Sequence, residues 1–165
     1  AGTYALPEAQ LDRFLLHVRV EYPSAAEERE ILLQTTGNRH PQLVPVLNAE
    51  RILELQSLVR DIHLGAELLS WITRLVRASR PDTEAPDAIR QWVKWGAGPR
   101  AGQALVLAAK ARALLHGRLA ATREDVHALA APVLRHRLIL SFAAEAEQMQ
   151  ADAVVAALLR AVPFG

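Results

Sequence analysis

Apolar positions recur three and four residues apart along most of the chain, the spacing of one face of an α-helix. Ser24 with Glu27 forms a capping box and opens a helix carrying Ile31 and Leu32, closed at Gly37-Asn38. Asn48 opens the next, with Ile52, Leu55, Val59 and Ile62 on one face. Leu64, Leu68, Ile72 and Leu75 mark a third, which stops near Ser79-Arg80-Pro81. A loop over 81–87 and a short apolar turn from Ile89 to Trp95 lead into Gly96-Ala97-Gly98-Pro99-Arg100. Pro99 suits the first position of a helix. That helix is expected to bury Ala101, Ala104, Leu105, Ala108, Ala111 and Leu115, and to stop at His116-Gly117. Thr122 with Asp125 caps a further helix that carries Val126 and Leu129 toward Pro132, and two short helices fill 134–148 and 151–162.

One stretch has a different period. After a loop-like Ala1 to Pro7 and a polar run to Arg13, the residues Phe14, Leu16, Val18 and Val20 alternate with His17 and Arg19, up to Tyr22-Pro23. Alternation of this kind predicts a strand. A single strand cannot satisfy its own backbone, so it implies a sheet whose other members lie outside this chain. Within the chain it is expected to be frayed or paired with a second copy of itself. The fold class that follows is mainly α: a compact helical bundle after Pro23, preceded by one strand left over from an α/β core.

Composition agrees with helices. Hydrophobic residues make up 51% of the 165 positions and aromatics only 5%, with alanine and leucine dominant. Nineteen Lys and Arg against 18 Asp and Glu leave a net charge of +1, which gives no argument for nucleic acid. There is no cysteine, so disulfides and thiolate metal sites are excluded, which suits a cytoplasmic protein. No apolar run has the length of a bilayer span, so membrane insertion is not expected.

Nothing in the sequence binds phosphate by itself. No Gly-x-x-x-x-Gly-Lys-Ser/Thr loop is present, and no apolar strand ends in Asp-Glu. The histidines lack metal-ligand spacing and the serines form no nucleophile signature, so no metal site is expected. Arg100 is the more informative cation. It stands in the first turn of a helix without an acid, where it opposes the macrodipole, and a helix start with an arginine suits an anion. Arg13 lies just before the strand, beside Asp12. Each has an ordinary reading: a solvated cation or an ion pair. His136, in Leu134-Arg135-His136-Arg137, reads as part of a solvated or acid-paired basic segment. Trp71, Trp92 and Trp95 read as packing, with Trp92 and Trp95 placed to brace the helix of Arg100.

Several blocks together resemble MoxR-type AAA+ ATPases. Gly2 to Phe14, with Leu6-Pro7-Glu8-Ala9-Gln10-Leu11-Asp12-Arg13-Phe14 at its heart, is similar to the stretch that closes their ATPase core. Tyr22-Pro23 followed by Glu27 to Leu32 continues the likeness. Gly96-Ala97-Gly98-Pro99-Arg100-Ala101 resembles their sensor-2 motif, although Gly98 stands where the family often has serine. Gly117-Arg118, Thr122 to Val126 and Val133 to Leu138 resemble their C-terminal lid.

The resemblance implies residues 1–23 as the C-terminal edge of the ATPase core, with the arginine-finger loop and last strand, and 24–165 as the helical lid. It implies a core upstream of Ala1, a hexameric ATPase with chaperone-like remodelling or cofactor-insertion activity, and ATP with Mg²⁺ in the whole protein. This chain, lacking both Walker motifs, is expected to hold no nucleotide and to be inactive alone. The implied partners are its own subunits and a von Willebrand factor A domain protein. By the same resemblance Arg13 is the arginine finger, acting on a neighbour's ATP, and Arg100 is sensor 2, reading the ATP of its own subunit. A free-standing helical adaptor with no nucleotide role is the competing expectation.

Overall fold

The computed structural model describes residues 6–38 and 42–165. Residues 1–5, of which Gly2 onward open the first block of the family likeness, and residues 39–41 lie outside the described residues. In chain order the elements are α1 (Glu8–Leu11), α2 (Ala25–Thr35), α3 (Ala49–Asp61), α4 (Ala66–Ala78), α5 (Asp87–Trp92), β1 (Val93–Trp95), α6 (Pro99–Leu115), α7 (Arg123–Leu134), β2 (Ile139–Leu140), α8 (Phe142–Ala146) and α9 (Ala151–Ala161). The mainly helical class expected from the sequence holds.

The helix starts follow their caps. Ser24 accepts from the Glu27 N–H while the Glu27 carboxylate accepts from the Ser24 N–H at 2.8 Å. Asn48 accepts from the Arg51 N–H at 2.8 Å. Thr122 and Asp125 form the corresponding box at the start of α7. The helix α7 runs two residues past Pro132, which lies inside it.

The core is built around α6, which packs on α4, α7 and α3. Its buried residues are Ala101, Ala104, Leu105, Ala108, Ala109 and Ala113. Small side chains there let the neighbouring helices approach closely, so larger residues from those helices fill the space. Trp71, Ile72 and Leu75 come from α4, Val126 and Leu134 from α7, and Leu158 from α9. Each of these stabilises the fold by up to about 1.5–3 kcal/mol. The Trp71 indole N–H donates to the Val162 carbonyl at 2.8 Å, so its polar edge is satisfied as well. The expected stripe is wrong at its far end: Leu115 is 85% exposed and Ala111 only partly buried, because the buried face continues through Ala109 and Ala113.

The stretch expected as a strand forms none. Phe14 to Val20 has no regular structure, and Val18 and Val20 are 69% and 92% exposed. The physical reason is that, among the described residues, no strand lies alongside. Its backbone is partnered by the end of α7 instead: the His17 N–H donates to the Pro132 carbonyl at 2.8 Å, and the His17 carbonyl accepts from Arg135 at 3.0 Å. The ladder that does exist is antiparallel, with Val93 opposite Leu140 and Trp95 opposite Ile139. It closes α5 and α8 over one end of the bundle. Both α1 and α2 bury nothing, and Ile31, Leu32 and Leu33 of α2 are exposed.

Candidate functional site

The start of α6 is fixed by the end of α4. Ser79, fully buried, donates from Oγ to the Val76 carbonyl at 2.7 Å and accepts the Ala97 N–H at 3.0 Å. The Arg80 Nε donates to the Ala97 carbonyl at 3.2 Å. Gly96 passes so close to this corner that an added Cβ would stand 2.3 Å from the Ser79 carbonyl oxygen and 2.6 Å from the Arg80 Cα. Only glycine fits there. Gly98 caps α6 at φ −83° with no side-chain hydrogen bond, and Pro99 and Arg100 follow. No acid lies in that first turn.

Arg100 projects from this fixed point toward the segment before Phe14. Its Nη1 lies 3.4 Å from Asp12 Oδ2, in a half-exposed contact. The other Asp12 oxygen accepts from Arg137 Nε at 3.0 Å. Arg137 is the anchor of the whole arrangement. Its side chain is 3% exposed. Its Nη2 donates to the carbonyls of Asp12 at 3.0 Å and Phe14 at 2.6 Å. Its Nη1 donates to the carbonyls of Leu15 at 3.3 Å and Val133 at 2.5 Å. Burial pushes its pKa down and the Asp12 carboxylate opposes that shift. One guanidinium, in a fork geometry that lysine cannot supply, thus ties four backbone carbonyls and a carboxylate together.

The result is a cleft of about 330 Å³ lined by Asp12, Arg13, Leu15, Arg100, Gln103 and Arg137, among others. Three guanidiniums face one carboxylate, so the cleft is cationic. Arg13 is exposed, and among the described residues it takes part in no ion pair. The two arginines singled out in the sequence, 87 positions apart by number, therefore line one cavity. A larger groove of about 750 Å³ adjoins it across Gln103 and Leu107, with Ile72 and Val76 on its floor and Arg60, Arg77 and Arg80 on its walls.

Arg137 and Asp12 are the residues that sequence reasoning missed as parts of the site. The basic segment is acid-paired rather than solvated: Arg137 takes Asp12, and Arg135 takes Asp152 at 2.9 Å. His136, between them, has Nε2 3.1 Å from the Phe14 carbonyl and a buried Nδ1 with no partner. Its pKa is lowered, chiefly by burial, with the Phe14 carbonyl opposing. Trp92 packs on the core, but Trp95 is 64% exposed. Asp125 is fully buried among Arg112, Arg118 and Thr122, which hold its carboxyl well below the usual range. It joins the end of α6 to the start of α7 and has a structural role. Among the described residues no group of acids and histidines could hold a metal ion, and no helix is long and apolar enough to cross a membrane.

A lid-like bundle with an arginine at the start of its central helix defines a class, and the comparisons agree with it. Residues 86–158 match the AAA lid domain family. The chain is related along nearly its full length to MoxR-type AAA+ proteins and is a portion of that type, carrying their lid. It is 37% identical to the chaperone MoxR1 of Mycobacterium tuberculosis over 98% of this chain and 43% of that protein. It is 33% identical to the protein MoxR of Paracoccus denitrificans over 96% of this chain and 50% of that one. A crystal structure from Cytophaga hutchinsonii, of a protein assigned as an ATPase, superposes with a TM-score of 0.91 at 30% identity, covering all of this chain and 51% of that one. The chain spans about half the length of the curated relatives it matches.

Proposed function

We propose that the cleft between Arg13 and Arg100 receives the terminal phosphates of ATP in a ring-shaped MoxR-type ATPase, and that this chain couples ATP binding and hydrolysis there to movement of the lid. The observation that carries this reading is the shared cationic cleft: two exposed guanidiniums beside a helix start, with the backbone of the Arg13 segment held by buried Arg137. Guanidiniums match phosphate oxygens in geometry and charge, and a preorganised pair spreads the charge of a transferring phosphoryl group.

The geometry favours one change to the expectation drawn from the resemblance. Arg13 and Arg100 line the same cavity, so one nucleotide serves both. If Arg13 acts as a finger on the neighbouring subunit's ATP, Arg100 reaches that same ATP rather than its own subunit's. The remainder of the reading keeps residues 1–23 as the edge of the ATPase core and 24–165 as the lid. It places the chain in a hexamer that binds ATP with Mg²⁺, works in the cytoplasm as a chaperone-like or cofactor-insertion machine, and meets a von Willebrand factor A domain partner. The name of the mycobacterial relative supports the chaperone part.

In the whole ATPase, Arg13→Ala is expected to lower turnover by about 10³-fold or more while leaving ATP binding mostly intact. Arg100→Ala is expected to impair binding or coupling as well. Near-normal turnover in Arg13→Ala would sink the finger role. The exposed Ile31, Leu32 and Leu33 of α2 favour a second reading, an adaptor that binds partners through this apolar surface without any nucleotide. Turnover unaffected by both arginine substitutions is the result that reading requires.

A further inference from the structure

The cleft contains its own anion. Asp12 stands between two arginines, and its two contacts are unequal. Arg137 meets Oδ1 at 3.0 Å from a side chain that is 3% exposed. Arg100 meets Oδ2 at 3.4 Å from a side chain that is 54% exposed. Arg137 is further fixed by four backbone carbonyls, whereas no other hydrogen bond holds the Arg100 guanidinium among the described residues. A long, solvated contact to carboxylate is weak and exchangeable. A contact from a buried guanidinium that four carbonyls also fix is not.

We propose that the Asp12 carboxylate is a resident competitor for the phosphate: it holds Arg100 until a polyphosphate enters the cleft, then gives Arg100 up while keeping Arg137. This rests on the phosphate reading of the cleft and adds to it a residue that sets affinity. A phosphate oxygen offers Arg100 more negative charge than a single carboxylate oxygen does and can be met bidentately, which favours the exchange. Asp12 acts through Arg100 and is thus a positioning residue.

The test titrates inorganic tripolyphosphate into this chain by calorimetry at low salt. Arg100→Ala should weaken binding. Asp12→Asn removes the competing charge but leaves an oxygen for Arg137, so it should tighten binding about two- to fivefold, the worth of an exposed ion pair. In the Arg100→Ala background the effect of Asp12→Asn should shrink. Damage to the fold would loosen binding, so tightening with an unchanged Tm is specific to competition. Unchanged or weaker binding in Asp12→Asn, while Arg100→Ala loses affinity, overturns the competitor and leaves the phosphate cleft standing. Binding that is absent in the unsubstituted chain, or indifferent to Arg100, overturns the cleft reading and the competitor with it.

Discussion

Asp12 and Arg137 stand 125 positions apart in the chain and meet through a 3.0 Å hydrogen bond from Nε to Oδ1. That contact, with the carbonyls Arg137 also holds, fastens the segment carrying Arg13 to the end of α7. The end of α7 and the Arg13 segment are thereby one unit, and the spacing of Arg13 from Arg100 depends on it.

Removing the fork should release the segment. Arg137→Ala is expected to cost roughly 2–3 kcal/mol, somewhat less than a fully buried pair because Asp12 retains some water. Thermal unfolding should show a Tm lower by about 5–10 °C. In hydrogen exchange the His17 amide, bonded to Pro132, should lose its protection first. Arg137→Lys keeps the charge without the fork and should restore only part of both.

The corner before α6 should tolerate no side chain at Gly96. Gly96→Ala puts a carbon 2.3 Å from backbone that cannot swing away, so it should cost about 2 kcal/mol and displace Pro99 and Arg100. Gly98→Ala, with open space around the same atom, should be nearly silent by comparison. Equal stability of the two variants in chemical denaturation would contradict this account of the corner.

The helix caps, the end of α4 and the alanine face of α6 were legible in the sequence because each rests on residues within one or two turns of each other. Ser24, Asn48 and Thr122 are local signals of that kind. The β1–β2 ladder was not legible, since strands of three and two residues are too short to show alternation. Phe14 to Val20 does alternate, but pattern reports only which face is apolar and not whether a partner strand is present. Arg13 and Arg100 were legible as candidates. Their meeting in one cleft was not, because it depends on Arg137, whose burial against Asp12 is a long-range contact with no local signature.

Asp125 should make the fold sensitive to acid. Its carboxyl is depressed by Arg118, Thr122 and Arg112, so its contribution is present in full above the ordinary carboxylate value near 4 and is lost as pH falls below it. Asp125→Asn should remove about 3 kcal/mol at neutral pH, and its stability should fall less steeply than the unsubstituted chain's between about pH 4 and pH 2. Urea midpoints across that range provide the check.

His136 should add a second, milder dependence. Its pKa is lowered by burial, so the folded state favours the neutral ring, while the unfolded chain takes up a proton near pH 6.5. The stability it contributes is complete above that pH and declines as pH falls through it. A proton on buried Nδ1 would find no acceptor there. His136→Gln can still donate to the Phe14 carbonyl and should flatten the change in Tm between about pH 7 and pH 5.

The most direct measurement concerns whether one nucleotide serves both arginines. Subunits of the whole ATPase carrying Arg13→Ala are mixed with subunits carrying Arg100→Ala, and turnover of the mixed rings is compared with that of each variant alone. If both arginines reach one ATP from the same subunit, every site in the mixture lacks one of them, and turnover stays at the level of the separate variants. If Arg100 serves its own subunit's ATP and Arg13 the neighbour's, some mixed sites regain both, and turnover rises well above either variant. No recovery is the expected result; recovery would contradict the shared cleft.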